Sequence, residues 1–292
     1  MNKANHQRYE FSSIEKRPDF SWPNGKRLAV YLGMNLECFE FGSGEGARLS
    51  PSHPQPDVLN YAWRDYGNRV GVWRMLELFN ELQFPCTALI NSRMYEEAPG
   101  VVEAFRKRGD EIAGHGRTNA EKQGVLSEED ERTLINKATN LISSQEGIHP
   151  KGWLGPWISQ SHATLDLLQE AGYEYTLDWC HDEQPIWMQT RRGRILSVPY
   201  PQELNDIPQI VARQKEGEDF ANMIVDAFNT MIIESERRPL IMGIALHAYL
   251  MGYPHRIPHL RRALTHIKNQ SAGRVWFTTA GEINDHFRAL GL

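Results

Sequence analysis

Four side chains in this sequence are suited to moving protons and stand at or just past the ends of short apolar runs: Glu37, His115, Asp178 and His247. Glu37 lies between Leu36 and Cys38, and a carboxylate drawn toward apolar surroundings is uncommon unless it is paired or functional. His115 sits in Gly114-His115-Gly116, where flanking glycines allow a tight turn and close backbone approach. His247 closes the apolar run that starts at Ile241, and Asp178 ends a short run that starts at Tyr175. Each has an ordinary alternative, since a histidine at a strand end can be a hydrogen-bonded core residue and an aspartate can cap its own loop. Together they form a general acid–base set, in which one positioned group contributes about 100- to 10,000-fold. Polar and aromatic residues at equivalent places are the candidates for holding a substrate: Asn91, Asn119, Trp153, Trp179, Asp182, Glu203, Asn205 and Asp206. Tryptophans there suit either a core or a flat ligand.

These residues share an address because of the elements that precede them. Short apolar runs at Arg27–Met34, Cys86–Asn91, Glu111–His115, Gly152–Leu154, Tyr175–Asp178, Ile195–Pro199, Ile241–His247 and Val275–Thr279 read as buried strands. Helical periodicity separates most of them, at 71–82, 99–108, from an N-cap at Ser127 toward Gly147, and at 165–170, 220–233, 257–267 and 280–290. Strands alternating with helices imply parallel β/α units, and seven or eight such units suggest a barrel, with a doubly wound open sheet as the alternative. In a barrel the strand C-terminal ends form one rim, so residues far apart in sequence converge on one pocket. A single domain over 21–292, preceded by a polar arm over 1–20, is the expected organisation.

Composition narrows the function classes. Hydrophobic residues are 40% and charged residues 24% of the chain, ordinary for a globular protein. A net charge of -5 with dispersed lysine and arginine offers no basic stripe for nucleic acid or an anionic membrane. The first twenty residues lack a secretory apolar segment, and the run at Leu240–Leu246 falls far short of the roughly 20 residues that span a bilayer. Cys38, Cys86 and Cys180 form no C-x-x-C pair, so neither a disulfide framework nor a zinc ribbon is indicated. A cytoplasmic protein acting on a small molecule is expected.

Several segments carry a family resemblance: NRVGVW (Asn68–Trp73), GDEIAGHG (Gly109–Gly116), GWLGP (Gly152–Pro156), LDWCHDEQPIW (Leu177–Trp187), VPYPQELND (Val198–Asp206), ALHAYLMG (Ala245–Gly252) and VWFTTAGEI (Val275–Ile283). Taken together, from about Trp22 onward, the chain resembles the polysaccharide deacetylase superfamily, and within it the branch of metal-independent allantoinase and cyclic imide hydrolases. The resemblance implies a distorted (β/α)7 barrel and a homotetramer. Metal-dependent members carry an Asp-Asp pair after the first strand and H-x-x-x-H after the third; here the matching stretches are Asn35-Leu36-Glu37-Cys38 and His115-Gly116-Arg117-Thr118-Asn119. One aspartate pair is reduced to Glu37 and the second histidine is Asn119, so a three-ligand zinc site is incomplete and no cofactor is expected, unless Asp182 or His181 supplies the missing ligand.

Without a metal, acid–base groups and an oxyanion donor suit an activated amide. The ring C–N bond of an imide or ureide expels a nitrogen stabilised by a second carbonyl, whereas an N-acetyl group does not. The expectation is therefore a hydrolase opening a cyclic imide or ureide, with Glu37 or Asp178 as base, His247 and His115 polarising the carbonyl or protonating the nitrogen, and Asn205 or Asn91 orienting the ring. Allantoinase, a metal-dependent N-acetyl deacetylase and a non-catalytic binder on the same barrel are the alternatives. The allantoinases of the family carry an arginine shortly after the histidine matched by His247, where this chain has Ala248-Tyr249-Leu250, leaving Arg117 or Arg256 to compensate.

Overall fold

The long first strand, β1 (Leu28–Leu36), is buried at all nine positions, which is why its sequence is an unbroken apolar run rather than an alternating one. The computed structural model describes residues 6–42, 46–50 and 53–292. Within them β1 is joined by β2 (Cys86–Ile90), β3 (Glu111–Gly114), β4 (Gly152–Trp153), β5 (Tyr175–Thr176), β6 (Ile186–Thr190), β7 (Gly193–Ser197), β8 (Leu240–His247) and β9 (Val275–Thr278). Hydrogen bonding runs in the order β6-β7-β5-β4-β3-β2-β1-β8, parallel throughout except for the β6–β7 hairpin.

Seven parallel strands curl toward closure. Beyond β7 the chain passes beside β8, where the Ala245 amide donates to the Leu204 carbonyl at 2.9 Å and Asn205 forms a single bridge with Ala245. β1 carries β8 along one edge from Leu28 to Asn35. Its other edge is divided, with β9 beside Leu28–Tyr31 and β2 beside Leu32–Leu36. Helices cover the outside, and their buried faces meet the outward residues of β1, β2 and β8 in the largest apolar cluster, which includes Val30, Leu32, Phe79, Phe105, Phe228 and Leu264.

Element types follow the sequence closely. Pro99–Arg108 and Ala280–Leu290 are helices at the expected bounds, and Ser127 caps Glu128–Glu146 by accepting from the Asp130 amide. Two elements were not expected. β6 is half exposed and pairs only with β7, so its sequence lacks a buried-strand run. A helix at Val58–Tyr66, capped by Asp57, occupies a stretch that reads as loop, and continues through a wide turn at Gly67–Gly71 into Val72–Leu82. A Cβ on Gly71 would lie 2.2 Å from the Ala248 carbonyl oxygen, and one on Gly67 2.7 Å from the Tyr249 nitrogen. Glycine there lets this helix press directly on the segment after His247.

The amino-terminal arm, from residue 6, docks on the barrel. Arg8 pairs with Asp166 at 2.8 Å, Arg17 with Asp182 at 2.6 Å, and Tyr9 stacks on His181 at 4.7 Å. Among the described residues no helix is long and apolar enough to cross a membrane.

Candidate active site

The register of the parallel ladder sets the site. Asn35 of β1 is paired with His247 at the end of β8, so Glu37, two residues further on and just past the end of β1, emerges beside that histidine. On the other edge the Asn91 amide donates to the Leu36 carbonyl at 3.0 Å and the His115 amide to Ile90 at 2.9 Å, bringing the third strand end to the same rim.

The result is a chain of groups running through one carboxylate. Glu37 Oε1 lies 3.4 Å from His115 Nε2 and 3.6 Å from His247 Nε2, while Glu37 Oε2 is buried with no hydrogen-bond partner among the described residues. The far side of each ring is tied down. His247 Nδ1 donates to Asp206 Oδ1 at 2.6 Å and its backbone amide to Asp206 Oδ2 at 2.8 Å. His115 Nδ1 faces the Leu154 carbonyl at 2.7 Å. A carbonyl can only accept, so this nitrogen carries the hydrogen and Nε2 is left to exchange a proton with the cavity.

Electrostatics follow from this packing. Burial alone would raise the Glu37 carboxyl, but the His247 charge and the hydrogen-bonding imidazoles win and hold it near 2. Burial opposes charge on His247 as well, yet Asp206 and Glu37 on either side raise it to about 10. At neutral pH the pair is carboxylate and imidazolium. Asp206 is held above the usual carboxylate range by desolvation, which exceeds the help it receives from His247. Burial raises Asp178 to about 6, with partial relief from Gln160 and the Gly155 amide.

Not every anticipated residue reaches this cluster. Asp178 is close, but both oxygens are engaged, Oδ1 by the Gly155 amide at 2.7 Å and Oδ2 by Gln160 Nε2 at 2.5 Å, so it pins the loop after β4. Asn91 is structural to the rim, accepting from the Cys38 amide at 2.8 Å and donating to the His115 carbonyl. Asn119 is buried and its Oδ1 is without a partner. Asn205 accepts from the Ile207 amide at 3.0 Å and so shapes the turn that delivers Asp206. The other anticipated substrate contacts lie elsewhere. Trp153 is fully buried with its indole on Gln123, Trp179 packs against Tyr9 and Gln160, Asp182 is consumed by Arg17, and Glu203 pairs with Arg213 on the surface.

Residues that sequence reasoning passed over fill the remaining wall. Asn35 donates to the Tyr200 hydroxyl at 2.9 Å. The Tyr249 ring lies 5.7 Å from the His247 ring and 5.8 Å from Phe39, and its hydroxyl is buried without a partner. Arg64, from the unexpected helix, stacks its guanidinium on Phe39 at 4.5 Å. Arg117 is instead paired with Glu121 at 2.5 Å, and Arg256 packs against Gly217. Nothing marked Arg64 in the sequence, because the helix carrying it was not apparent.

A zinc ion is what the wider superfamily implies, and the residues do not fit one. Among the described residues no group of three His, Cys, Asp or Glu side chains is arranged to hold a metal, and the place of a second histidine ligand is taken by the neutral amide of Asn119.

The polysaccharide deacetylase family model matches residues 61–176. The crystal structure of PuuE allantoinase superposes with a TM-score of 0.85 at 27% identity, covering 96% of this chain and 98% of that one. Over residues 61–176, and in its fold, the chain is similar to the polysaccharide deacetylase superfamily. Its α/β sheet with surrounding helices is of that type. A probable polysaccharide deacetylase from Pseudomonas aeruginosa PAO1 matches with a TM-score of 0.83 at 27% identity, over 94% of this chain and 95% of that one. A Schizosaccharomyces pombe protein named for polysaccharide deacetylation is 28% identical over 90% of each chain. A Helicobacter pylori peptidoglycan deacetylase is 22% identical over 76% of this chain and 85% of its own.

Proposed function

We propose that this protein hydrolyses the C–N bond of a cyclic imide or ureide without a metal. The observation that carries the reading is Glu37, whose Oε1 is flanked by the Nε2 atoms of His115 and His247 while Oε2 remains free inside the site. Oε2 holds the attacking water and takes its proton. The His247 imidazolium, fixed by Asp206, stabilises the oxyanion formed as water adds to the carbonyl carbon, then protonates the nitrogen as the C–N bond breaks. Water is consumed, and the ring opens to a carboxylic acid and an amide.

An acid held between two carboxylates is a strong electrostatic stabiliser but a weak proton donor, which matches a nitrogen already stabilised by a second carbonyl better than a simple acetamide. His115 supports the water, and Asp178 acts as a positioning residue because both its oxygens are committed. The likeness to PuuE allantoinase supports a cyclic ureide as the second substrate class. A homotetramer accompanies the proposal and is checked by sedimentation.

The test incubates chelator-treated protein with succinimide, maleimide, hydantoin, dihydrouracil, allantoin and chitin oligomers. Ring opening with no metal requirement is expected. Acetate release restored by zinc or cobalt would overturn the proposal in favour of a sugar deacetylase, and no turnover of any substrate would favour a binder.

A further inference from the structure

Arg64 is 3% exposed, and among the described residues no carboxylate forms an ion pair with it. Among the described residues its one hydrogen bond is a long one, 3.4 Å from Nη1 to the Ala47 carbonyl, and its buried Nε has no partner there. A buried cation left this way is costly, and such residues are normally paired or bound to a ligand. Gly46 lets the backbone pack closely against the guanidinium, since a Cβ there would lie 2.0 Å from Nη1. Phe39, two residues after Glu37, forms the floor under the guanidinium.

Tyr249 completes the arrangement. Its ring touches both Phe39 and His247, and its buried hydroxyl lies against Glu37 without a hydrogen bond of normal geometry among the described residues. Burial lowers the Arg64 guanidinium, and Tyr249, Asp57 and Glu37 push it back up, which places Arg64, Tyr249 and Glu37 in one electrostatic neighbourhood. Two unsatisfied donors therefore stand beside the Glu37–His247 pair, on the side formed by the helix Val58–Tyr66.

We propose that Arg64 and the Tyr249 hydroxyl form a carboxylate-binding subsite adjoining the catalytic pair, so that the preferred ligand is a cyclic amide bearing an acidic substituent. The inference rests on the cyclic-amide reading for the identity of the ring, but the subsite itself stands on Arg64 and Tyr249. The guanidinium fork meets two carboxylate oxygens, and the phenol adds a third donor.

The experiment measures binding of succinate and of its neutral isostere succinamide to the full chain by calorimetry, in the wild type and in Arg64→Met, Arg64→Lys and Tyr249→Phe. Wild-type protein is expected to bind succinate at least tenfold more tightly than succinamide. Arg64→Met should abolish that preference without lowering the melting temperature, because an apolar side chain of similar length replaces an unpaired buried charge. Arg64→Lys should restore part of it, and Tyr249→Phe, which removes only an unbonded hydroxyl, should weaken succinate several-fold while remaining folded.

Equal binding of the two probes overturns the subsite, as does an Arg64→Met variant that is destabilised yet keeps the preference. Should Arg64→Met fail to fold, an unchanged preference in Tyr249→Phe overturns it alone. Succinate preference with no ring opening leaves the subsite standing and sinks the cyclic-amide reading. Turnover of neutral imides with no carboxylate preference does the reverse.

Discussion

Replacing Asp206 by Asn tests the arrangement at its most specific point. The side chain keeps its shape, and its oxygen can still accept one hydrogen bond from His247, but the charge opposite Nδ1 is gone. In the native protein His247 is raised from 6.5 to about 10 against the pull of burial, a gap that corresponds to roughly 5 kcal/mol of preference for the charged ring. Asp206 and Glu37 share that preference, so losing one of them lowers the ring's pKa well below its native value, with burial lowering it further. The sign follows directly. The imidazolium is the lower-pH form, so the native enzyme keeps it until pH approaches 10, while the variant loses it at a lower pH. Below about pH 6.5 native and variant should differ little in kcat/KM for ring opening; at pH 9 the variant should be slower by at least about tenfold. The assay follows loss of the imide ultraviolet band from pH 5.5 to 10, with nuclear magnetic resonance titration of the His247 ring as a readout free of turnover. An alkaline limb at the same pH in both proteins would refute the assignment of His247 as a charge-stabilised acid.

Three other outcomes follow from the geometry. Glu37→Gln should reduce kcat by about 100-fold or more with little change in KM, measured by steady-state kinetics, because it removes the base and leaves the pocket filled. Asp178 is raised from 3.8 to about 6 by burial, so the folded state binds its proton more tightly than the unfolded chain and its contribution to stability falls as pH rises from about 4 to 6; Asp178→Asn should flatten that part of a urea-unfolding series. Gly71→Ala forces a methyl group against the Ala248 carbonyl and should cost about 1–3 kcal/mol in the same assay, with a drop in activity from displacement of the segment after His247.

The rim was legible in the sequence because its elements are extremes of pattern. β1 and β8 are buried on both faces and read as continuous apolar runs, so their ends, and hence Glu37 and His247, could be placed without coordinates. His115 was marked by its glycines. Asp206 was visible only as one polar residue among several, since what distinguishes it is its bond to His247 across 41 positions of sequence. Arg64 and Tyr249 were hidden for a related reason. The helix Val58–Tyr66 is amphipathic but follows a Gly- and Pro-rich stretch, and its contact with Tyr249 depends on two glycines whose purpose appears only when the partner backbone is present. Asp182 and Glu203 were over-read because a carboxylate near a rim looks the same in sequence whether it meets a ligand or an arginine of the arm or surface.

The uneven support of β8 has a mechanical consequence. On one side it is laced to β1 from Leu28 to Asn35, and on the other it is held at separate points, where the amides of Ile241, Ala245 and His247 donate to Glu183, Leu204 and Asp206. Acid and base are thus mounted on the same pair of strands, like two jaws on one hinge plate. Breathing of the barrel along its loosely fastened seam can alter the room available beside them while their separation stays fixed.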